Sequence, residues 1–399
     1  MDIKQKHLLF PGSGALTAFA CQFILFQLTE SLVNDRAAAL LGVETVNAVY
    51  SAGLFSTASG YLLFAFMSWR IGSAARKVLL ACMGVAYLCS STCMARTAQP
   101  PVFVACALAG LLSAGYLGGL THWILAAALR DGRYTGRATG AAIAAGIGLQ
   151  YLVQSLLPMP AALAVWLAAA VFIVAFGYRC SRGDCFSAPP SARSGPEPLL
   201  RRRLFVLIAA VILMSMIISL DDTICVTFHA QGSVNLYGAP RLFYAGSVLL
   251  AGFLADRRGR AYLPLATVCV VLISGFTFAF LSRPDTYWIN ACLLYTYSGF
   301  YVEFFTVMFL AAAPRSGCPE LWAGMGRITR SYTLAIVTVP FIRLFDAFGV
   351  VPMMVLSTVF SMGCLVLFFT SGMLSPARTG ETPKSTISLP GKLTCWSGF

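Results

Sequence analysis

The chain has 399 residues, of which 58% are hydrophobic and 11% charged, with a formal net charge of +13. A soluble domain carries about 25% charged residues, so this composition excludes a water-solvated globule and requires lipid as the solvent. The surplus of cations raises nucleic-acid binding as a reading, and where those cations fall argues against it.

Met1 to His7 is short and polar, and the apolar run after it reaches full membrane length, so no cleavable signal is predicted. Windows of about 19 residues predict about twelve membrane-spanning helices. They lie near 13–33, 46–68, 78–95, 101–128, 138–157, 161–178, 204–227, 237–255, 263–282, 287–313, 328–347 and 350–371. Helices follow because the runs are long and do not alternate, and a lone strand would leave its backbone polar groups unpaired in hydrocarbon. The predicted class is therefore an all-α integral membrane protein.

Taken in chain order, the first segment carries Gln22, Gln27 and Glu30, and the second ends at Trp69-Arg70-Ile71-Gly72. The fourth holds Gly115 and Gly119, suited to close helix packing, and His122-Trp123, read as packing residues. The fifth offers Gln150 and Gln154, four apart and so stacked on one side; these amides either line a cavity or bond neighbouring helices. A polar, proline-rich stretch from Arg179 to Arg203 is expected to divide an amino-terminal six-helix bundle (1–178) from a carboxy-terminal one (204–371). Asp221 and Asp222 sit in the outer half of the seventh segment, pointing about 100° apart, so one of them is expected to face the centre. The tenth segment places Glu303 among Tyr295, Tyr297 and Tyr301. An ionisable residue inside a span is costly and marks a functional site by default; Glu303 is a candidate proton-coupling carboxylate, with a paired structural glutamate as the alternative. Residues 372–399 read as a disordered tail.

With the amino terminus inside, about 23 of the 28 Lys and Arg residues fall in loops on one face. The other face keeps Arg36, Arg96, Arg241, Arg283 and Arg343. This bias predicts a multi-pass protein of the cell (plasma or inner) membrane with both termini cytoplasmic, and it explains the charge without nucleic acid. The 13 cysteines are mostly scattered singly through apolar segments and form no zinc pattern. There is no glycine-rich phosphate loop with Lys-Ser/Thr. Neither an enzyme nor a cofactor is expected.

The halves also repeat. Val46-Asn47, Tyr50, Ala52, Ala58, Leu62, Leu63, Arg70 and Gly72 align with Val234-Asn235, Tyr237, Ala239, Ala245, Leu249, Leu250, Arg257 and Gly259, with one deletion. Parallel repeats of this kind are a transporter trait.

Between the eighth and ninth segments stands Gly252-Phe253-Leu254-Ala255-Asp256-Arg257-Arg258-Gly259-Arg260. This stretch resembles the signature loop of the major facilitator superfamily, a Gly-x-Leu-Ala-Asp-Arg-x-Gly-Arg pattern. The resemblance implies a twelve-helix secondary transporter in which Gly252, Asp256, Arg257, Gly259 and Arg260 form a conformational latch, with Arg70 and Gly72 as the first-half counterpart. Asp256 is expected to meet a facing helix amino terminus or an arginine. The first-half loop departs from the pattern, with Trp69 where the acid would be. Two marks of the superfamily's drug/proton antiporters are absent as well: no arginine midway along 101–128 and no Gly-Pro within 138–157. Leu220-Asp221-Asp222-Thr223-Ile224 is similar to a Leu-Asp-x-Thr-Ile motif found in first helices of some members.

The expected function is secondary active transport of a small organic solute, with Glu303, Asp221, Asp222, Gln22, Gln27, Glu30, Gln150, Gln154, Tyr297 and Tyr301 as candidate substrate or coupling residues. Membrane lipid, the solute and protons are the expected partners. A facilitator-like membrane sensor, binding a ligand without moving it, is the alternative. Few charges within the predicted spans argue against a highly charged solute.

Overall fold

The computed structural model describes residues 12–129, 134–181, 198–257, 262–282 and 284–372. The core of the predicted linker, residues 182–197, lies outside these, as do Arg258, Gly259, Arg260 and the tail from residue 373.

Among the described residues the chain is helical throughout: α1 (Ser13–Leu41), α2 (Val43–Arg70), α3 (Ser73–Arg96), α4 (Pro100–Ala128), α5 (Thr135–Leu156), α6 (Met159–Cys180), α7 (Pro198–Ala230), α8 (Pro240–Ala255), α9 (Tyr262–Ser274), α10 (Tyr287–Ala312), the single turn α11 (Pro319–Trp322), α12 (Met325–Phe348) and α13 (Val350–Ser371). A 3₁₀ stretch, Thr277–Ser282, prolongs α9. Ten helices, counting this prolongation, are long and apolar enough to cross a membrane.

Large apolar side chains point outward: Leu156 is 71% exposed, Phe276 72% and Phe369 70%. In water such a surface would aggregate; in lipid it is the matching solvent. The inside holds Tyr87, Tyr297, Tyr301, Phe304 and Phe309 fully buried. The class predicted from composition, an all-α multi-pass membrane protein, is what the chain forms.

Chain reversals use the residues that permit them. Gly42 (φ 92°) separates α1 from α2 and Gly349 (φ 72°) separates α12 from α13, backbone conformations that a Cβ disfavours. Prolines stand in the first turns of α4, α6 and α8, where the missing N–H costs nothing.

Several boundaries differ from the sequence reading, most of them by lengthening a helix. α1 continues to Leu41, α7 begins at Pro198, α8 at Pro240 and α12 at Met325. Arg201 to Arg203 and Arg327, which lie outside the predicted spans, are therefore helical. Hydropathy ends a segment wherever cations appear, whereas these helices carry theirs inward or along the margin. Of the two remaining predicted spans, α5 is made more polar by Arg137, its glycines and its amides. α8 has 16 residues, about 24 Å at 1.5 Å per residue.

These two helices pack against each other across the chain halves, α5 on α8, while α2 lies along α12. The second span of each half thus seats on the fifth of the other. α1, α7 and α10 lie further in, and more of their length is buried than of α6 or α13.

Candidate functional site

At one end of the bundle, Asp256 closes α8 where α5 begins. Its Oδ1 accepts from the Gly136 backbone N–H at 2.8 Å and its Oδ2 from that of Arg137 at 2.9 Å. Free N–H groups of a first helical turn carry partial positive charge, so the carboxylate acts as a cap supplied by another helix. The Arg137 guanidinium adds an ion pair at 3.7 Å and lies over the Phe253 ring.

The close approach needs glycine on both sides. A Cβ on Gly252 would fall 2.5 Å from the Gly136 carbonyl oxygen, and one on Gly136 would fall 2.6 Å from that of Gly252. Of the residues expected to act as a latch, Gly252 and Asp256 are at this contact and Arg257 is exposed beside it; Gly259 and Arg260 lie outside the described residues. Gly72 is exposed with open space around it, and Arg70 lies over its own helix's Phe66 ring. Trp69, standing where the first half lacks an acid, donates from Nε1 to Glu320 Oε2 of α11 at 3.4 Å. The acid has moved to the partner element.

Glu303 lies close to this seam and away from the central space. Its Oε1 accepts from Thr139 Oγ1 of α5 at 2.6 Å, and its Oε2 is buried with no partner. A Cβ on Gly140 would come within 3.7 Å of that carboxylate. Glu303 therefore reports on the same α5 turn that Asp256 caps.

The opposite end is tied as well. Asn34 Nδ2 donates to Tyr237 Oη at 2.8 Å, Asn47 Nδ2 to Thr227 Oγ1 at 2.7 Å, and Tyr50 Oη to Asp222 Oδ2 at 2.9 Å. His229 Nε2 meets Asp35 Oδ1 at 2.9 Å. Further in, Arg241 donates to Gln27 Oε1 and stacks over Tyr295 at 4.5 Å. Glu30 sits in the combined field of Arg241, Asp222 and Arg330.

The adjacent aspartates part company. Asp222 faces α2, while Asp221 turns into the carboxy-terminal half and accepts from Asn290 Nδ2 (2.6 Å), Thr277 Oγ1 (3.1 Å) and Tyr297 Oη (3.3 Å). Tyr301 bonds Ser215 Oγ at 2.5 Å. Gln150 donates to Gln154, whose Nε2 reaches Ser31 Oγ at 2.6 Å. Asp221, Tyr297, Tyr301 and Gln154 thus bond to neighbouring helices, and Gln150 to its own.

Between the two ties lies a small central cavity bounded by Gln22, Phe23, Phe26, Thr57, Tyr61, His122, Arg327 and Ser331. It has room for about one water molecule. Of the candidate residues only Gln22 lines it; Gln27, Glu30 and Asp222 belong to the polar network above it. Arg327, Arg330, Arg241 and His122 were missed. The arginines looked like topological charges at segment edges, and His122 like packing. The signal was present in Arg327, Arg330, Ser331 and Thr338, a polar stripe at helical spacing through an otherwise apolar segment.

No protein-family model matches the sequence, and no curated protein is similar to it. Solved structures do match, 175 chains in all. Among them is the crystal structure of the human organic anion transporter MFSD10 (TETRAN), with a TM-score of 0.58 and 16% identity, covering 93% of this chain and 100% of that one. The chain thus shares the fold of that solved structure.

Proposed function

We propose that this protein is a secondary active transporter that moves a small organic solute by alternating access. The two six-helix bundles, 1–178 and 204–371, rock about the central cavity, linked through 179–203, with both termini in the cytoplasm. The observation that carries this reading is the double closure: cross-half bonds at Asp256 on one end and at Asn34, Asn47 and Tyr50 on the other, with a polar cavity between. A channel needs a continuous path; a carrier needs two gates that open in turn. Glu303, buried where α5 meets α10, is the candidate group through which a proton would couple to the α5–α8 gate.

The likeness to an organic anion transporter supports transport in general, and the substrate class is taken up below. The test is paired spin labels in the reconstituted full chain, at exposed Gly72 and Arg257 for one end and at exposed Glu44 and Gln231 for the other. Solutes are those that raise the melting temperature in a screen. Transport predicts that such solutes enter liposomes and that one label distance lengthens as the other shortens. Binding with no entry and no change in either distance would leave a sensor instead.

A further inference from the structure

The cavity specifies a ligand class, an inference that rests on the transporter reading for its biological meaning and on geometry for its chemistry. Arg327 is 7% exposed in the first turn of α12. The rings of Phe23, Phe26 and Phe305 lie 4.5, 5.9 and 5.5 Å from its guanidinium carbon. Among the described residues no carboxylate lies within ion-pair distance of it and no oxygen accepts from it. Its charged neighbours are Arg330 and, more weakly, Glu30. A guanidinium removed from water without an acid is costly, and here its donors border a cavity.

Two further polar atoms on the same cavity lack partners. Gln22 gives its Nε2 to the Ala114 carbonyl at 3.0 Å, leaving Oε1 buried and unpaired. His122 Nδ1 lies 2.8 Å from the Gly118 carbonyl, which places the ring hydrogen on Nδ1 and leaves Nε2 as a bare, buried acceptor. One unpaired cation and two unpaired acceptors, walled by phenyl rings, describe the negative image of a ligand.

We infer that the cavity takes an organic carboxylate that also bears a hydroxyl or N–H donor. The carboxylate meets the planar fork of Arg327, the donor reaches Gln22 Oε1 or His122 Nε2, and the apolar body lies against Phe23 and Phe26. The cavity is smaller than such a ligand, so binding must widen it.

The test uses the full chain in detergent with four probes: 4-hydroxybenzoate, benzoate, 4-hydroxybenzamide and inorganic phosphate. At millimolar concentration 4-hydroxybenzoate should raise Tm by about 3 °C, and benzoate should bind about tenfold more weakly for want of the donor. The amide and phosphate should do nothing, and Arg327→Gln should abolish the response. An equal shift from the amide, a shift from phosphate alone, no shift from any probe, or an undiminished response in Arg327→Gln overturns the inference. Should Arg327→Gln fail to fold, Arg327→Lys decides. It keeps the charge and loses the fork, so affinity should fall about tenfold, and unchanged affinity is fatal. Uptake of labelled 4-hydroxybenzoate into liposomes separates the two proposals. Arg327-dependent binding without uptake removes transport and leaves the ligand class, whereas Arg327-independent uptake of neutral solutes does the reverse.

Discussion

Tyr50 of α2 donates to the carboxylate of Asp222 on α7 at 2.9 Å, joining the first half of the chain to the second on the side away from Asp256. Tyr50 is itself buried. Tyr50→Phe keeps the ring and removes the donor. A half-buried carboxylate left short of one hydrogen bond costs about 1–3 kcal/mol. The gate at this end should loosen, and a cysteine introduced at Ser51 should label faster with an impermeant thiol reagent on a cysteine-free background. Unchanged labelling would show that the bond does not hold the gate.

Asp256→Asn tests the other gate. The change preserves shape while removing the charge that faces the α5 amino terminus, an interaction worth about 0.3–2 kcal/mol. The conformational balance should shift toward opening at the Asp256 end, raising labelling of a cavity cysteine at Ser331 from that side by up to about tenfold. Asp256→Glu should fall between the two. Equal labelling in all three would reduce the contact to a plain turn.

Paired glycine changes in α8 separate packing from helix propensity. Gly252→Ala drives a Cβ to 2.5 Å from the Gly136 backbone oxygen, which can yield only by parting the helices, whereas Gly246 has nothing within 4 Å of its would-be Cβ. Overpacking costs about 1–3 kcal/mol, so Gly252→Ala should lower Tm and favour the open Asp256 end. Gly246→Ala should be neutral or stabilising by up to about 1 kcal/mol. Similar melting curves for both variants would refute the tight seam.

Glu303→Gln distinguishes coupling from structure. The amide still accepts from Thr139 and cannot exchange a proton. Transport driven by a pH gradient should be lost while solute counterflow at uniform pH persists. Loss of both assigns Glu303 to folding; retention of gradient-driven transport removes it from coupling.

Gly252 and Asp256 were legible as a pair because their spacing is demanded by one physical contact: two helices touching at glycine, with a carboxylate over a helix start. Asp221 and Asp222 were legible as a pair that must diverge, since the helical angle alone dictates it. The cavity was not. Gln22, Tyr61, His122 and Arg327 come from four helices, and nothing local in the chain announces that they meet. Arg241 and Arg327 were read as topological charges for a specific reason. A hydropathy window treats every cation as a boundary, while rings such as Tyr295 and Phe23 shelter these two inside the helical ends.

α8 is short, and its outer face carries Leu242, Phe243, Leu249, Leu250 and Phe253. Its length of about 24 Å is some 6 Å less than a hydrocarbon layer of about 30 Å. Acyl chains beside it must compress, at a cost of a fraction of a kcal/mol per Å of mismatch. That strain falls on the helix whose far end carries Asp256, so membrane thickness becomes a mechanical input to the α5–α8 seam. If the protein transports as proposed, its turnover should differ between short-chain and long-chain phosphatidylcholines for that reason alone.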